Sequence, residues 1–407
     1  MSRLLCIYQH APTPGAPGIY RHRLYFAELV RRGWTVDVVS TPRNYMSGAI
    51  PAGYRRRPLT HEVIDGIDHH WVWTPGGIHR SRARRIANYA GFVAAAGLRA
   101  ATLRPPDVVY ISSPPLTVGL LGPLLARRFR RPWVLEVRDV WPESAVSVGW
   151  IRRESIAYRM LDRLARRLSR TADAVVVPTP GLVPFAEAHG ASSVTTLTGS
   201  IVDRPRDPER RRATRERLAV ADDECVFVYA GAIGVANGLD VLLDAVELLP
   251  RDVRVRVVVA GDGSARERIE ERLRGGGLDR VRLLPPVPKD EVDALLAAAD
   301  VGLHLLRPDP VFESALPTKV LDYLGSHLPF VTTTGGVPAS VARESGGGAV
   351  TTAAELAAEL ERWAVMSEAE RAERGERAFA YGAEHFSLAA NADRFEELVA
   401  EVARRRV

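Results

Sequence analysis

The feature of this sequence that most constrains its fold is the regular alternation of strand-like and helix-like segments. Short apolar runs bounded by turn residues, such as 4–8, 108–111 and 226–229, alternate with longer segments of helical periodicity, such as 239–249. This alternation is typical of α/β proteins, in which helices connect the strands of a parallel sheet. We therefore predict doubly wound parallel sheets.

The chain is expected to form two domains. Its 407 residues exceed what one ordinary hydrophobic core accommodates. The alternation stops at a proline-bearing segment, 198–207, and then restarts, which predicts a hinge there. We predict one Rossmann-like domain over 1–198 and a second over 199–385, followed by a separate amphipathic helix within 386–407.

Charge is distributed unevenly between the two halves. The net charge is +6, but residues 1–200 carry +14 and the remainder carries −8. Arginines form two clusters, Arg55–Arg57 and the group Arg80, Arg82, Arg84 and Arg85. These clusters are either solvated faces or surfaces that attract anionic lipid or a phosphate-bearing acceptor. A nucleic-acid binder is disfavoured, because no stacking aromatic residues are interleaved with the arginines and the second half is acidic.

The remaining composition favours a cytoplasmic protein. Cys6 and Cys225 are the two cysteines, and both lie in strand-like runs, which predicts buried reduced thiols. The longest uncharged run, 108–126, is interrupted by Ser, Pro and Gly and makes a poor membrane span. The N-terminal apolar run is too short for a signal peptide and predicts a first strand instead.

The segment 311–325, VFESALPTKVLDYLG, is the strongest candidate for a ligand site. An apolar strand precedes it, and a helix is expected to begin at Pro317-Thr318-Lys319, since proline suits the first turn of a helix. Lys319 and Asp322 are three residues apart and so share a face of that helix. A loop leading into a helix N-terminus is a ready site for a diphosphate. An ordinary surface helix with an ion pair between these two residues is the alternative.

Glycine-bearing turns follow several predicted strands. Gly18 follows the first strand, and Gly231, Asn237 and Gly261 lie in turns of the second half. These glycines either let the backbone approach a phosphate or simply permit a tight turn. The pattern is not G-x-G-x-x-G, and no acidic residue stands at the expected place after the first strand, so a dinucleotide cofactor is disfavoured.

Charged residues also end a predicted strand of the first half, at 133–137. The run Glu136 to Ser144 places Arg138 and Asp139 directly after this strand, where catalytic groups of parallel sheets usually lie. A structural ion pair between Arg138 and Asp139 is the alternative interpretation.

Five motifs occur in an order that resembles the retaining glycosyltransferases of family 4, which have the GT-B fold. The likeness is greatest to bacterial polysaccharide enzymes of the fucosaminyltransferase or colanic-acid type. The motifs are Pro17-Gly18, R-D-x-W-P-E (138–143), Y-x-G-x-I-G (229–234), A-G-D-G (260–263) and P-T-K-x-x-D-Y (317–323).

The resemblance implies an α/β protein with two Rossmann-like domains that face a cleft, and a final helix that returns to the first domain. It implies that 1–198 binds a hydroxyl acceptor, which in many relatives is lipid-linked, and that 199–385 binds a nucleotide sugar, with a UDP-sugar favoured. The expected activity is retaining sugar transfer in the synthesis of cell-surface polysaccharide or a secondary-metabolite glycoside. No cofactor or metal ion is expected.

The resemblance also assigns candidate site residues. Asp322 stands where the family has the acid that holds the ribose, and Ser314 stands eight residues upstream, beside Glu313, where the other acid is expected. The family's basic pair for the diphosphate is replaced by Ala232 and Asn237, so Lys319, one of two lysines in the chain, is expected to supply the charge. The expected donor-binding residues are Gly18, Gly231, Asn237, Gly261, Glu313, Ser314, Leu316, Lys319 and Asp322. The expected catalytic residues are Arg138, Asp139 and Lys319.

Two other functions are compatible with this fold. A sugar-nucleotide 2-epimerase shares the fold but needs several carboxylates and a histidine, whereas the loop around Ser314 is poor in acids. A non-catalytic nucleotide-sugar-binding scaffold is the other alternative, because the basic pair is missing.

The arginines at 80–85 precede an apolar segment whose Tyr89, Phe92 and Val93 share a helix face. That face either docks on the inner surface of the cell membrane or packs on the sheet.

Overall fold

The computed structural model describes residues 2–15, 21–45, 48–55, 57–77, 80–147, 149–307 and 313–405. The chain divides into two compact units. Unit 1 comprises Met1–Thr198 together with Leu388–Val407, and unit 2 comprises Gly199–Ser387. The final helix therefore belongs to unit 1, whereas Phe386 and Ser387, which the sequence pattern groups with that helix, belong to unit 2.

Unit 1 is built on an eight-stranded sheet in the order β3-β4-β2-β1-β5-β6-β7-β8. Its pairs are parallel except for β3, which runs antiparallel to β4 at one edge. The strands are β1 (Arg3–Tyr8), β2 (Thr35–Ser40), β3 (Leu59–Ile64), β4 (Ile67–Val72), β5 (Val108–Ser113), β6 (Trp133–Val137), β7 (Ala174–Val177) and β8 (Val194–Thr196).

Helices cover both faces of this sheet, so its central strands are apolar on both sides. Alternate residues of β1 illustrate this: Leu5 and Ile7 face one core, and Leu4 and Cys6 face the other. The helices preceding the hinge are α1 (Arg21–Arg31), α2 (Arg82–Ala101), α3 (Leu121–Phe129), α4 (Glu143–Ser147), α5 (Ile156–Thr171) and α6 (Val183–Ala188). Short 3₁₀ turns lie at Ala52–Tyr54, Leu116–Leu120 and Pro180–Leu182.

Unit 2 has a six-stranded parallel sheet in the order β11-β10-β9-β12-β13-β14. Its strands are β9 (Cys225–Ala230), β10 (Val255–Ala260), β11 (Val281–Leu284), β12 (Val301–His304), β13 (Phe330–Thr332) and β14 (Gly348–Val350). Its helices are α7 (Pro208–Arg217), α8 (Leu239–Leu248), α9 (Arg266–Arg274), α10 (Lys289–Ala298), α11 (Thr318–Gly325), α12 (Gly336–Glu344), α13 (Leu356–Val365) and α14 (Glu368–His385).

The last helix, α15 (Leu388–Arg404), is built into the core of unit 1. Phe395, Leu398, Val399 and Val402 have the spacing of one helix face, and all four are buried. The Phe395 ring lies 5.4 Å from the Tyr110 ring, measured between centroids. The amphipathic pattern therefore predicts this helix correctly, and its apolar face packs on unit 1.

The sequence leaves two interpretations of the apolar face of α2, docking on a membrane and packing on the sheet, and the structure shows the second for Phe92. That side chain is fully buried in the core of unit 1, and Asn88, Ala96 and Ala100 on the same face are buried too. The alternative interpretation, packing on the sheet, therefore describes this face. Among the helices of the described residues, none is long and apolar enough to cross a membrane.

Candidate functional site

Polar groups and glycines collect where four neighbouring strands of unit 2 end. The strands β10, β9, β12 and β13 are adjacent in the sheet and parallel, so the loops that follow them meet at one edge. These loops begin at Gly261, Gly231, Leu305 and Thr333. The edge is also where the helix α11 begins, and it contains most of the residues that the sequence marks as donor-binding.

The loops after β9 and β10 are hydrogen-bonded to each other and leave no room for a side chain at Gly261. The Gly231 N–H donates to the Ala260 carbonyl (2.9 Å), and the Ile233 N–H donates to the Asp262 carbonyl (2.8 Å). Gly261 has a φ of 155°, and a Cβ there would lie 1.8 Å from the Gly231 carbonyl oxygen. Both glycines at this contact are therefore required by the turn geometry.

Gly231 does not have the role that the sequence predicts for its N–H, because the Ala260 carbonyl already accepts a hydrogen bond from it. Its contribution is the missing side chain. A Cβ on Gly231 would lie 3.2 Å from both Cε and Nζ of Lys319. Gly231 thus leaves the space that the Lys319 ammonium occupies.

Lys319 lies in the first turn of α11, which Pro317 precedes without a side-chain cap. Its Nζ lies 3.7 Å from the centre of the Tyr229 ring. The Tyr229 hydroxyl donates to the Ala232 carbonyl (2.6 Å), which fixes the ring beneath the ammonium. Nζ is buried and has no hydrogen-bond partner among the described residues. A lysine amine without an acceptor, beside a helix N-terminus, has the chemistry that suits an anion.

Burial changes the protonation of this group. It lowers the pKa of the Lys319 amine from its ordinary value to about 7, because the charged form loses its hydration. The pKa of His304, at the end of β12, is lowered as well. Burial, aided by the positive charge of Lys319, lowers the pKa of His304 to about 3. His304 is thus a neutral ring, and its Nδ1 lies 2.9 Å from Thr332 Oγ1.

The ion pair expected in the alternative interpretation of α11 does not form between Lys319 and Asp322. Asp322 instead accepts from Lys289 Nζ (2.9 Å), on α10, and lies 3.4 Å from the guanidinium of Arg204. Both cations also contact Asp293, at 3.0 and 3.3 Å. The two lysines of the chain therefore have opposite environments: Lys289 is paired, and Lys319 has no acceptor among the described residues.

The other expected donor-binding residues of the loop lie close to this edge. The Glu313 carboxylate lies against Gly335, whose Cβ would be 3.0 Å from Oε1, at the start of α12. Leu316 packs against the apolar core of unit 2 and so has no polar role through its side chain. Asn237 Oδ1 accepts from the Gly234 N–H (3.0 Å), which caps its own turn. Ser314, beside Glu313, is partly buried. Gly18 lies outside the described residues.

In unit 1, Arg138 and Asp139 follow β6, as the sequence predicts. The Arg138 guanidinium donates to the Tyr8 hydroxyl (2.9 Å) and lies 4.9 Å from the centre of the Tyr8 ring. Arg138 and Asp139 form no ion pair within 4.0 Å among the described residues, but their charges interact: burial raises the pKa of Asp139, and the charge of Arg138 partly offsets that rise. The hydrogen bond to Tyr8 therefore directs Arg138 toward the end of β1.

A second group in unit 1 is not predicted from the sequence. The carboxylate of Glu136 is buried, receives a short hydrogen bond from Arg21, and lies 2.5 Å from His22 Nε2. Burial alone would raise the pKa of Glu136, but the charge of Arg21 and the hydrogen bond with His22 outweigh it and hold the pKa far below its ordinary value. Arg21 and His22 begin α1, more than 100 residues away in sequence, so no local pattern reveals this contact.

The described residues contain no group of three or more His, Cys, Asp or Glu side chains arranged to hold a metal ion. The edge of the unit 2 sheet combines the Lys319 amine, the N-terminus of α11 and the glycine turns.

Two solved structures share this architecture over the whole chain. Sucrose-phosphate synthase from Thermosynechococcus elongatus superposes with a TM-score of 0.76, at 16% identity, covering 99% of both chains. Anabaena HepE in complex with UDP-glucose superposes with a TM-score of 0.71, at 18% identity, covering 98% of this chain and 100% of HepE. The chain has the GT-B fold.

Family comparisons place the sequence in the same class. Residues 16–199 match the family described as Glycosyl transferase 4-like domain, and residues 224–364 match Glycosyl transferases group 1. The chain belongs to the GT-B glycosyltransferases. The probable glycosyltransferase WbjE of Pseudomonas aeruginosa is 26% identical over 228 residues, which cover 55% of this chain and 56% of WbjE. The match thus spans about half the length of that relative.

Proposed function

We propose that this protein transfers a sugar from a nucleoside diphosphate sugar to a hydroxyl acceptor, with retention of anomeric configuration and without a cofactor or metal ion. The donor's diphosphate binds at the edge of the unit 2 sheet, against Lys319 and the first turn of α11. The observation that carries this proposal is the buried Lys319 ammonium without a hydrogen-bond partner among the described residues. A buried polar group left unsatisfied is costly unless a ligand completes it.

The chemistry of the leaving group explains why a lysine is placed there. A nucleoside diphosphate departs with negative charge, so a preorganised positive group at that position stabilises the transition state. Lys319 supplies one charge, and the uncapped N–H groups of the first turn of α11 supply a partial one. Glycine at 231 keeps a side chain away from this charge, because a Cβ there would lie 3.2 Å from Lys319 Nζ.

We propose a separate role for each of the remaining donor-site residues. Asp322, held by Lys289 and Arg204, accepts hydrogen bonds from the ribose hydroxyls with its remaining oxygen. Glu313 and Ser314 bind hydroxyls of the donor sugar. Asn237 and Gly261 shape the loops that enclose it. Gly18, which precedes α1 in the sequence, is proposed as a further diphosphate contact.

Acceptor activation is assigned to unit 1. Asp139 accepts the proton of the attacking hydroxyl, or polarises it, while the acceptor approaches on the face from which the diphosphate departs. Arg138, anchored by the Tyr8 hydroxyl, holds negative charge near that hydroxyl. In this mechanism no side chain forms a covalent bond to the sugar.

A UDP-sugar is the favoured donor, supported by the fold shared with HepE, which was solved with UDP-glucose. A thermal-shift screen of UDP-, GDP-, dTDP- and ADP-sugars tests this, because a ligand that binds only the folded state raises the melting temperature. We expect one nucleotide class to raise it, and the shift to disappear in Lys319→Ala. The absence of a shift with all four classes would contradict the proposal. Donor conversion in the absence of any acceptor would instead identify an epimerase.

The acceptor is proposed to be lipid-linked, which would place the enzyme on the inner face of the cell membrane. The support is the exposed group of Arg80, Arg82 and Arg84 beside the exposed side chain of Ile86. Each arginine near an anionic leaflet contributes about 1 kcal/mol. Vesicle sedimentation tests this: binding should require anionic lipid, weaken in salt, and fall when Arg80, Arg82, Arg84 and Arg85 are replaced by serine. Equal sedimentation with neutral and anionic vesicles would contradict it.

A further inference from the structure

The strand β3 lies at an open edge of the unit 1 sheet and is longer than the other edge strands of the two sheets. It has six residues, whereas the other edge strands, β8, β11 and β14, have three, four and three. Natural proteins protect their edges by making them short, or by placing proline or lysine on them, because free backbone groups recruit another strand. No lysine lies in β3.

The hydrogen-bond register identifies which backbone groups of β3 are free. The Trp73 N–H donates to the Pro58 carbonyl (3.0 Å), and β3 pairs with β4 through the two-residue turn Asp65-Gly66. Since bonded and non-bonded pairs alternate along an antiparallel ladder, Thr60, Glu62 and Ile64 direct their backbone groups to β4. Leu59, His61 and Val63 direct theirs outward, and no described residue bonds to them.

The features that usually block an edge are absent from these outward positions. Pro58 precedes the strand, but its backbone groups face β4, because its carbonyl accepts from the Trp73 N–H. Its missing N–H therefore does not interrupt the outer edge. Leu59 and Val63 are 42% and 63% exposed on the same face of the strand. Outward hydrogen-bonding groups and exposed apolar side chains therefore coincide on β3.

We propose that β3 pairs antiparallel with β3 of a second copy of this chain, about a two-fold axis through His61. This register uses all three outward residues of both strands. His61 lies opposite the partner's His61, and Leu59 lies opposite the partner's Val63, twice by symmetry. Six backbone hydrogen bonds form, and the two eight-stranded sheets become continuous. The register also brings Arg57, which is exposed, toward the partner's Asp65, an exposed carboxylate whose Oδ2 accepts a hydrogen bond from Arg23 of its own chain.

The size of this contact sets the expected strength. One strand pair of this length is smaller than a standard interface, which buries about 800 Å² per partner. The dimer should therefore be in equilibrium with the monomer and should dissociate on dilution. Sedimentation velocity over about 1 to 100 µM protein should show a concentration-dependent dimer. A wild-type chain that stays monomeric throughout would overturn the proposal.

Two double variants that share one substitution provide a matched test. In Leu59→Lys/Val63→Lys, each lysine at 59 faces a lysine at 63 of the partner, and like charges directly opposite each other destabilise a strand pair. In Leu59→Glu/Val63→Lys, the same positions carry opposite charges. We expect the first variant to be monomeric and the second to remain dimeric. Equal association states in the two variants would overturn the register, and since all the replaced side chains are exposed, both variants should fold.

Disulfide trapping tests the position of the axis directly. Residues of a hydrogen-bonded antiparallel pair have Cα atoms about 5.5 Å apart, within the range that a disulfide spans. His61→Cys should therefore form a disulfide-linked dimer on mild oxidation. In Val63→Cys the two new thiols would be separated by four residues along the strands, about 13 Å, and should not be linked. The native Cys6 and Cys225 are buried in both variants. Equal trapping of both variants, or of neither, would overturn the proposed axis.

Discussion

The ammonium of Lys319 lies 3.7 Å from the centre of the Tyr229 ring, although the two residues are 90 positions apart in the chain. The aromatic face partly offsets the burial of the positive charge, as in other cation–π contacts. It supplies no hydrogen-bond acceptor, so the three N–H donors of the lysine remain available to a ligand. This contact holds the charge at the strand edge and keeps it directed toward an anion.

Replacement of Lys319 should remove charge stabilisation of the leaving diphosphate. We expect Lys319→Ala to lower the turnover number by about 100-fold or more, which is the scale for loss of one preorganised stabiliser. Release of the nucleoside diphosphate measures this. Arg343→Met is the matched control, because Arg343 is an exposed cation on α12 and its loss should leave turnover within a few-fold of wild type. Turnover of Lys319→Ala within the same few-fold range would exclude the role.

The contact between the two glycine turns predicts a graded series of stabilities. Gly261→Ala should lower the free energy of unfolding by about 2–4 kcal/mol, since it combines an unfavourable φ with overlap on the Gly231 carbonyl. Gly276→Ala is the control, because Gly276 also has a positive φ but a Cβ added there would meet no atom within 4 Å. It isolates the backbone cost, about 1 kcal/mol. Equal losses in urea unfolding would show that the turn contact does not matter.

The low pKa of Lys319 makes stability depend on pH in a defined direction. In the unfolded chain the amine keeps its proton to about pH 10.5, whereas in the folded protein it loses it near pH 7. Between these values the unfolded state binds more protons, so this group makes the free energy of unfolding rise with pH. Lys319→Met removes the effect. The stability advantage of Lys319→Met over wild type should therefore fall by about 1.4 kcal/mol per pH unit in this window. If the free energies of unfolding of Lys319→Met and wild type, measured in urea, differ by the same amount at every pH between about 6 and 9, the lowered pKa of Lys319 is contradicted.

The packing of α15 in unit 1 predicts that truncation of a buried side chain on this helix leaves a destabilising cavity. Phe395 is 1% exposed and contacts the rings of Tyr25, Phe26 and Tyr110. Phe395→Ala should lower the free energy of unfolding of unit 1 by about 3–5 kcal/mol. Glu397→Ala, on the exposed face of the same helix, should change it by about 0.5 kcal/mol or less. Thermal unfolding that is unchanged in Phe395→Ala would be incompatible with this packing.

The sequence predicts those parts of the structure that depend on local patterns. The apolar runs give the parallel strands, and proline at 317 gives the start of α11 one residue later. The edge strand β3 is not predicted, because its exposed side chains leave it without a clear alternation of apolar and polar residues. The helix α12 is not predicted either, since its first turn contains glycine and proline.

The sequence likewise predicts the part of the candidate site that depends on local pattern, and not the contacts between distant residues. Lys319 stands out in the sequence because lysine is rare in this chain and follows a helix-start signal. The contacts of the site come from other parts of the chain. Lys319 contacts Tyr229, and Asp322 pairs with Lys289 and Arg204. Spacing along the chain carries no information on such contacts, which is why the sequence suggests Asp322 beside Lys319 rather than paired with Lys289.

The central claim is that the donor's diphosphate binds the Lys319 amine, and proton-linked calorimetry tests it without knowledge of the acceptor. At about pH 8 the free enzyme holds Lys319 mostly unprotonated, and a bound diphosphate should raise its pKa and draw in a proton. Titration with the nucleotide sugar selected by thermal shift, in buffers of different ionisation enthalpy, counts these protons. We predict uptake approaching one proton per donor bound in wild type, almost none at about pH 6, and none in Lys319→Met. The same proton count at about pH 8 in wild type and Lys319→Met would contradict the account.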